Sequence, residues 1–297
     1  MSFQPCLSPP PLKPGDRLRV IAPSGALREL DAFVAGLEIW RDRGYQVEIS
    51  PRVNDRWGYL AGTDSDRRNQ LLSAWKDPEC RGILCARGGY GSARILEDWT
   101  WHDNSKWLIG FSDITGLLWS LSMVGISGVH GPLLTTLAAE PDWSIQRLFD
   151  WVEGRSLAPL EGTGWGGGVA SGILLPANLT VATHLLGTPL QPQLEGVILA
   201  LEDVTEAPYR IDRLLTQWRL SGALSKVRGI ALGRFSRCEA PPNIPSLTIE
   251  EVLRDRLSDL GIPIVSSLPF GHDGPNAALP VGLPAQLDAE KGILSFD

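Results

Sequence analysis

Ser112 stands in Ile109-Gly110-Phe111-Ser112-Asp113-Ile114-Thr115-Gly116, after the apolar run Trp107-Leu108-Ile109 and before Leu117–Leu121, which has helical spacing. A serine at a strand-to-helix junction sits on a tight turn with its side chain pushed outward. Helix N–H groups are aimed nearby, and the positive end of the helix dipole suits a developing negative charge. The same position also suits an N-cap. It is not the G-x-S-x-G elbow, because Asp113 is followed by Ile114 and Thr115. A nucleophilic serine needs a base, and that base needs an acid to fix its tautomer. Two later stretches offer them. Leu199-Ala200-Leu201-Glu202-Asp203-Val204 ends an apolar run with two acids, and Phe270-Gly271-His272-Asp273-Gly274-Pro275-Asn276 puts a histidine among turn-forming residues. Taken singly, the acids also fit helix caps or solvated strand ends, and the histidine an exposed loop. Taken in order, Ser112, Glu202 and His272 each lie at a strand end beside a loop rich in Gly, Asp or Asn.

A fourth stretch, Arg87-Gly88-Gly89-Tyr90-Gly91, follows another apolar run and matches neither G-x-x-x-x-G-K-[ST] nor G-x-G-x-x-G. Its bare backbone N–H groups could approach a substrate as an oxyanion hole, or simply form a tight turn.

The elements that must position these residues alternate. A strand over Arg17–Ala22 stops at Pro23-Ser24-Gly25. A helix fits Glu29–Arg43, with Leu30, Phe33, Val34, Leu37 and Trp40 on one face and Gly44 as its stop. A short strand follows at Gln46–Ile49, then a helix over Asp64–Lys76 opened by Thr63 or Asp64, and a strand over Gly82–Ala86. Next come a helical piece near Ala93–Asp98, the Trp107 strand, the Ile114 helix and a strand near Ile126–Val129. This order predicts a parallel sheet of flavodoxin or Rossmann type, covered on both faces. Ligands bind beyond the carboxyl ends of such strands, which puts the glycine-rich loop and Ser112 on one rim.

Residues 1–155 are therefore expected as an N-terminal α/β domain carrying Ser112, and residues 156–168, rich in Gly and Pro, as a linker. Residues 169–297 are expected as a C-terminal mixed α/β domain with a β-rich end, carrying Glu202 and His272. Its elements are apolar runs at Val169–Leu175, Val197–Leu201, Val227–Leu232 and Ile264–Leu268, helices over Tyr209–Leu220 and Ile249–Leu260, and short alternating runs from Ala278 to Phe296. Acid and base would then reach the serine across an interdomain cleft.

With 297 residues, 43% hydrophobic and 21% charged, the composition is that of a soluble globular protein. A net charge of −7 argues against a nucleic-acid partner. No run of about 18 apolar residues predicts a membrane span, and the Pro-rich arm Met1–Pro14 lacks a basic-then-apolar signal pattern. Cys6, Cys80, Cys85 and Cys238 form no C-x-x-C pair and read as buried reduced thiols, which fits a cytoplasmic protein. His102, His130, His184 and His272 are scattered without metal-ligand spacing. Most of the 11 tryptophans are expected in the core or at a domain interface.

Motifs in a fixed order run through nearly the whole chain. They are Leu12-Lys13-Pro14-Gly15-Asp16 leading to Ala22-Pro23-Ser24, then Arg87–Gly91, Gly110-Phe111-Ser112-Asp113 and Val129-His130-Gly131-Pro132. Leu201–Val204 follows, with Glu206 and Pro208-Tyr209-Arg210-Ile211-Asp212-Arg213, then Gly271-His272 and Leu279-Pro280-Val281-Gly282. In this order the sequence resembles the LD-carboxypeptidase family of serine peptidases, which includes muramoyltetrapeptide carboxypeptidase and the microcin C self-immunity proteins.

The resemblance implies a Ser-Glu-His triad, with Ser112 as nucleophile, His272 as base and Glu202 as the acid that orients it. Backbone N–H groups of Asp113 and of Gly88 or Gly89 would hold the oxyanion, and Arg87 and Tyr90 would contact substrate. It also implies an enzyme without metal or cofactor, usually a homodimer, that removes the terminal D-alanine from a murein tetrapeptide in the cytoplasm. The alternatives are a self-immunity type hydrolase of aminoacyl-nucleotide amides and a non-catalytic nucleotide or sugar-phosphate binding protein. One segment departs from the family. Where relatives commonly have Gly-Gly-Asn-Leu on the substrate side, this chain reads Leu175-Pro176-Ala177-Asn178-Leu179. Along a strand, side chains alternate faces, so Glu202 and Asp203 cannot both point at His272.

Overall fold

The computed structural model describes residues 4–97, 99–102 and 104–296. Two compact units emerge. One comprises Cys6–Ser156 together with Ala277–Val281, and the other residues 4–5, Leu157–Asn276 and residues 282–296.

In the first unit, strands and helices alternate as β1 (Arg17–Ile21), α1 (Leu30–Asp42), β2 (Gln46–Ile49), α2 (Asp64–Lys76), β3 (Cys80–Cys85), β4 (Trp107–Gly110), α3 (Thr115–Met123), β5 (Val129–His130), α4 (Leu134–Leu137) and α5 (Asp142–Val152). The sheet order is β2-β1-β3-β4-β5, all parallel, with the late strand β12 (Leu279–Pro280) added antiparallel to β5. This is the flavodoxin-like order, in which neighbouring strands leave in opposite directions at the β1/β3 junction and open a crevice at their carboxyl ends. Central strands of a parallel sheet are covered on both faces and read as continuous apolar runs; β4 is buried at every residue.

Helix α1 buries Phe33, Gly36, Leu37 and Trp40, close to the face expected from spacing, while Leu30 and Val34 are exposed. The Trp40 ring meets Phe149 of α5 edge-on at 4.8 Å. A reciprocal capping box opens α2: Thr63 Oγ1 accepts from Asp66 N, and the Asp66 carboxylate accepts from Thr63 N. The helical piece near Ala93 is a 3-10 turn over Ala93–Leu96, and Asp98, its expected end, lies outside the described residues.

The second unit holds β6 (Leu160–Glu161), β7 (Thr163–Gly164), β8 (Val169–Asn178), α6 (Leu179–Leu185), β9 (Val197–Val204), α7 (Pro208–Leu220), β10 (Gly229–Ser236), α8 (Ile249–Leu257), β11 (Ile264–Ser266), β13 (Pro284–Asp288) and β14 (Ile293–Phe296). Its sheet is mixed, in the order β6-β14-β13-β8-β9-β10-β11-β7. The four strands β8 to β11 are parallel neighbours, and the flanking pairs are antiparallel.

The domain boundaries differ from expectation in two places. The segment 156–168 is not a free linker, because β6 and β7 within it pair with β14 and β11. The C-terminal stretch is not one unit, because β12 pairs with β5 of the first unit. Both departures are long-range pairings of two-residue strands, too short to carry a periodic signal. Of the tryptophans, Trp40, Trp75, Trp107, Trp119 and Trp218 are fully buried, whereas Trp57 is exposed.

Helix α1 packs closely where it crosses α4. A Cβ on Gly36 would lie 2.0 Å from the Leu134 carbonyl oxygen. Gly36→Ala should therefore force the two helices apart and destabilise the fold by about 1–3 kcal/mol, read as a lowered urea midpoint at unchanged slope.

Candidate functional site

Ser112 opens a 3-10 turn, Ser112–Ile114, immediately after β4, and runs into α3. Its φ is +62°, in the left-handed region that costs a residue with a Cβ about 1–2 kcal/mol. An N-cap residue is ordinarily extended, and the N-cap position of α3 belongs to Ile114, without a side-chain cap. The strained turn therefore marks a placed serine, not a helix cap.

What holds the turn is Asp113, whose side chain is buried. Its Oδ2 accepts from Ser24 Oγ at 2.6 Å and from the Ser92 N–H at 2.8 Å. The Ser92 hydroxyl in turn donates to the Asp113 carbonyl. Ser24 follows β1 and Ser92 follows the glycine-rich loop, so one carboxylate ties three strand-end segments together. Arg67, fully buried in α2, adds a second tie by donating to the carbonyls of Pro23 and Gly91, each at 2.6 Å, while pairing with Asp64.

These ties settle the glycines. A Cβ on Gly88 would lie 3.2 Å from Ser112 Cβ, 3.3 Å from Ser112 Oγ and 3.6 Å from the Asp113 nitrogen. Gly88 is thus the residue set against the serine. Gly89, at φ +110°, faces Gly25 and the Arg87 side chain. Arg87 donates to the Ala26 carbonyl at 3.1 Å and pairs with Glu29 at 3.3 Å, so its guanidinium is engaged by the loop after β1. Tyr90 is exposed, its ring 5.9 Å from that of Tyr59.

Glu202 and His272 come together in the second unit. Glu202, near the end of β9, has no exposed surface, and its Oε2 lies 2.6 Å from His272 Nδ1. Its Oε1 accepts from Asn178 Nδ2 at 3.2 Å. The Asp203 carboxylate is taken up by other partners. Its Oδ2 accepts from the N–H (2.9 Å) and hydroxyl (2.7 Å) of Thr180, at the start of α6, and its Oδ1 from Asn178 Nδ2 (3.0 Å) and the Val204 N–H (2.8 Å). Burial, reinforced by the neighbouring Glu202 charge, outweighs these bonds and pushes the Asp203 carboxyl up to about 6. Glu206 pairs with Arg210 at 3.4 Å. Glycine is required before the histidine: Gly271 has φ +107°, and a Cβ there would lie 3.0 Å from Glu202 Cβ and 3.2 Å from its Oε2.

A model described as the LD-carboxypeptidase N-terminal domain matches residues 18–131, and one described as the LD-carboxypeptidase C-terminal domain matches residues 171–287. The chain belongs to the LD-carboxypeptidase family. Within that family, a putative carboxypeptidase of Synechocystis sp. is 62% identical over 98% of this chain and 97% of its own. A probable murein peptide carboxypeptidase of Bacillus subtilis is 34% identical over 95% of this chain and 92% of its own. Among solved structures, muramoyltetrapeptide carboxypeptidase from Oxalobacter formigenes superposes with a TM-score of 0.85 at 28% identity, covering 95% of this chain and 99% of that one. Microcin C7 self immunity protein MccF shares the fold, with a TM-score of 0.89 at 21% identity over 98% of both chains.

Against this LD-carboxypeptidase frame, sequence reasoning overlooked Asn178, Thr180, Arg67, Ser92, Arg234 and Ser236. Asn178 sat in the departing segment Leu175–Leu179; it caps α6 by accepting from Val181 N at 3.1 Å, and it is the register partner of Glu202. Arg234 and Ser236 carried a readable signal, two polar residues at alternate positions ending an apolar strand and hence on one face. Among the described residues, no group of three or more His, Cys, Asp or Glu side chains is placed to hold a metal. All four cysteines are buried and free, and burial pushes the Cys6 thiol up to about 12 and that of Cys238 to about 11.

The raised Asp203 value has a testable sign. The folded state binds this proton more tightly than the unfolded chain, so its stabilisation is complete below pH 3.8 and is lost as pH rises through about 6. Asp203→Asn should remove that loss. Between pH 4 and 7 the melting temperature of the variant should gain on the wild type, by the equivalent of about 2–3 kcal/mol; a constant difference would disprove the shift.

Proposed function

We propose that the protein is a serine carboxypeptidase that hydrolyses an L,D-peptide bond and releases the terminal D-alanine of a murein tetrapeptide. The observation that carries this reading is the buried Glu202 carboxylate bonded at 2.6 Å to His272 Nδ1. That bond favours the tautomer with the proton on Nδ1, whose Nε2 lone pair can take a serine proton. The strained φ of +62° at Ser112 supports the choice of nucleophile. The family, and relatives named as murein peptide and muramoyltetrapeptide carboxypeptidases, support the substrate.

In this reading, Ser112 Oγ attacks the carbonyl carbon of the scissile bond as His272 Nε2 takes the hydroxyl proton. Backbone N–H groups of Asp113 and Gly88 receive the oxyanion. The tetrahedral intermediate collapses, the C–N bond breaks, and the imidazolium returns its proton to the amine of the departing D-alanine. Water, deprotonated by the same imidazole, then attacks the acyl-enzyme and regenerates Ser112. Glu202 stabilises the imidazolium. Four buried thiols support a reducing compartment, and we place the enzyme in the cytoplasm as a homodimer acting on a small peptide.

Ser112→Ala should abolish release of D-alanine from the tetrapeptide while leaving the melting temperature within a few degrees. Glu202→Gln, which can donate to the ring and favour the wrong tautomer, should lower turnover by roughly 10²–10⁴, in line with the equivalent change in the serine-protease template. Asp203→Asn and Glu206→Gln should cost far less, since their carboxylates face α6 and Arg210. Should either prove the crippling variant, the acid is misassigned.

Substrate recognition is tested with a C-terminally amidated tetrapeptide. A carboxypeptidase must read a free terminal carboxylate, so the amide should be cleaved at least about 10²-fold more slowly, the order lost with a charge-assisted contact. Equal rates would point to an amide hydrolase of the self-immunity kind.

A further inference from the structure

The loop that carries the base is an unfavourable piece of backbone. Within Gly271–Gly274, three of four residues have positive φ: Gly271 at +107°, Asp273 at +54° and Gly274 at +156°. Glycine takes such angles freely, but at Asp273, which carries a Cβ, the conformation persists only where the surroundings over-determine it. The loop also turns several carbonyls toward one point, which sets their negative ends against each other unless a donor stands there.

Arg234, on β10, is that donor. Its Nε donates to the His272 carbonyl at 2.9 Å, and one terminal nitrogen donates to the Gly271 carbonyl at 2.9 Å and to the Pro275 carbonyl. Its own N–H bonds the Phe270 carbonyl at 2.9 Å. Two positions on along the same strand face, Ser236 Oγ donates to the His272 carbonyl at 2.6 Å. The fit is close from the loop side too: a Cβ on Gly274 would lie 3.0 Å from Arg234 Cζ and Nε. At the loop's far end, Asn276 Oδ1 accepts from the Gly271 N–H at 2.9 Å.

We propose that Arg234 is a positioning residue for the base: its planar fork gathers the Gly271, His272 and Pro275 carbonyls and so sets the imidazole where Nδ1 meets Glu202. Five donors in a rigid plane suit three converging carbonyls in a way that the point charge of lysine does not. In this role Arg234 acts through the loop and not through the substrate, so its loss should slow the chemical step and leave substrate binding alone. An imidazole displaced by about 1 Å costs on the order of 10²-fold in rate. The inference rests on the proposed Ser-Glu-His reading.

The test uses the full chain and a fluorophosphonate probe, whose reaction with Ser112 needs the base but no peptide recognition; the labelled site is located by mass spectrometry. In Arg234→Ala the labelling rate should fall by about 10–10²-fold, with kcat on the tetrapeptide falling in parallel and KM moving less than about threefold. Added guanidinium at millimolar concentration should restore labelling several-fold. Arg234→Lys should fall between the two, and it decides the matter if the alanine variant does not fold. Labelling of a folded Arg234 variant at the wild-type rate, or a loss seen in KM alone, would overturn the inference. A wild type that the probe does not label at Ser112 overturns the serine reading, and this inference with it.

Discussion

A carboxylate with no exposed surface sets the terms for the second unit. Removing Glu202 from water costs several kcal/mol unless donors replace the lost hydration, and the fold supplies them from two directions. His272 Nδ1 approaches one oxygen and Asn178 Nδ2 the other. Each donor needs its own support. Asn178 sits opposite Glu202 in the β8–β9 register and is fixed by capping α6. His272 hangs on a loop with three left-handed residues, gathered by Arg234 and Ser236. The glycine at 271 follows from the same demand, since any side chain there would press on the Glu202 carboxyl.

The first unit answers a similar problem with Asp113. Here a buried carboxylate gathers the serines that follow β1 and the glycine-rich loop, and by doing so holds the turn on which Ser112 is strained. In both units a buried acid beside a candidate residue is also the organiser of the loops around it. This explains why the short motifs come as they do: Ala22-Pro23-Ser24 supplies a donor to Asp113, and Arg87–Gly91 lets backbone, bare at Gly88, lie against Ser112.

The alternating order of strands and helices in the first 130 residues was plain from apolar runs and stops, because parallel strands buried on both faces are written as unbroken hydrophobic stretches. The helices α4, α5 and α6 were not foreseen. The first two follow the Val129–Pro132 motif, and α6 has seven residues, short enough that its start depends on the Asn178 cap and on Asp203 receiving the Thr180 N–H. The strands β6, β7 and β12, of two residues each, have no pattern of their own and exist only through distant partners.

By itself the sequence pointed to candidate residues for chemistry, because a reactive side chain needs a definite type at the end of a strand, and type and strand end are both local. Ser112, Glu202 and His272 were singled out on that basis, and the alternation of side chains along β9 allowed only one of Glu202 and Asp203 to face His272; the structure sets Glu202 there. Tertiary structure alone decided what orients them. That Asn178 bridges two acids, that Arg234 collects three carbonyls, that Gly88 rather than Gly89 faces Ser112, and that Ala277–Val281 returns to the first unit are facts about neighbours brought together from far along the chain. A hydrogen bond between residues 38 or 70 positions apart leaves no periodicity in the sequence to read.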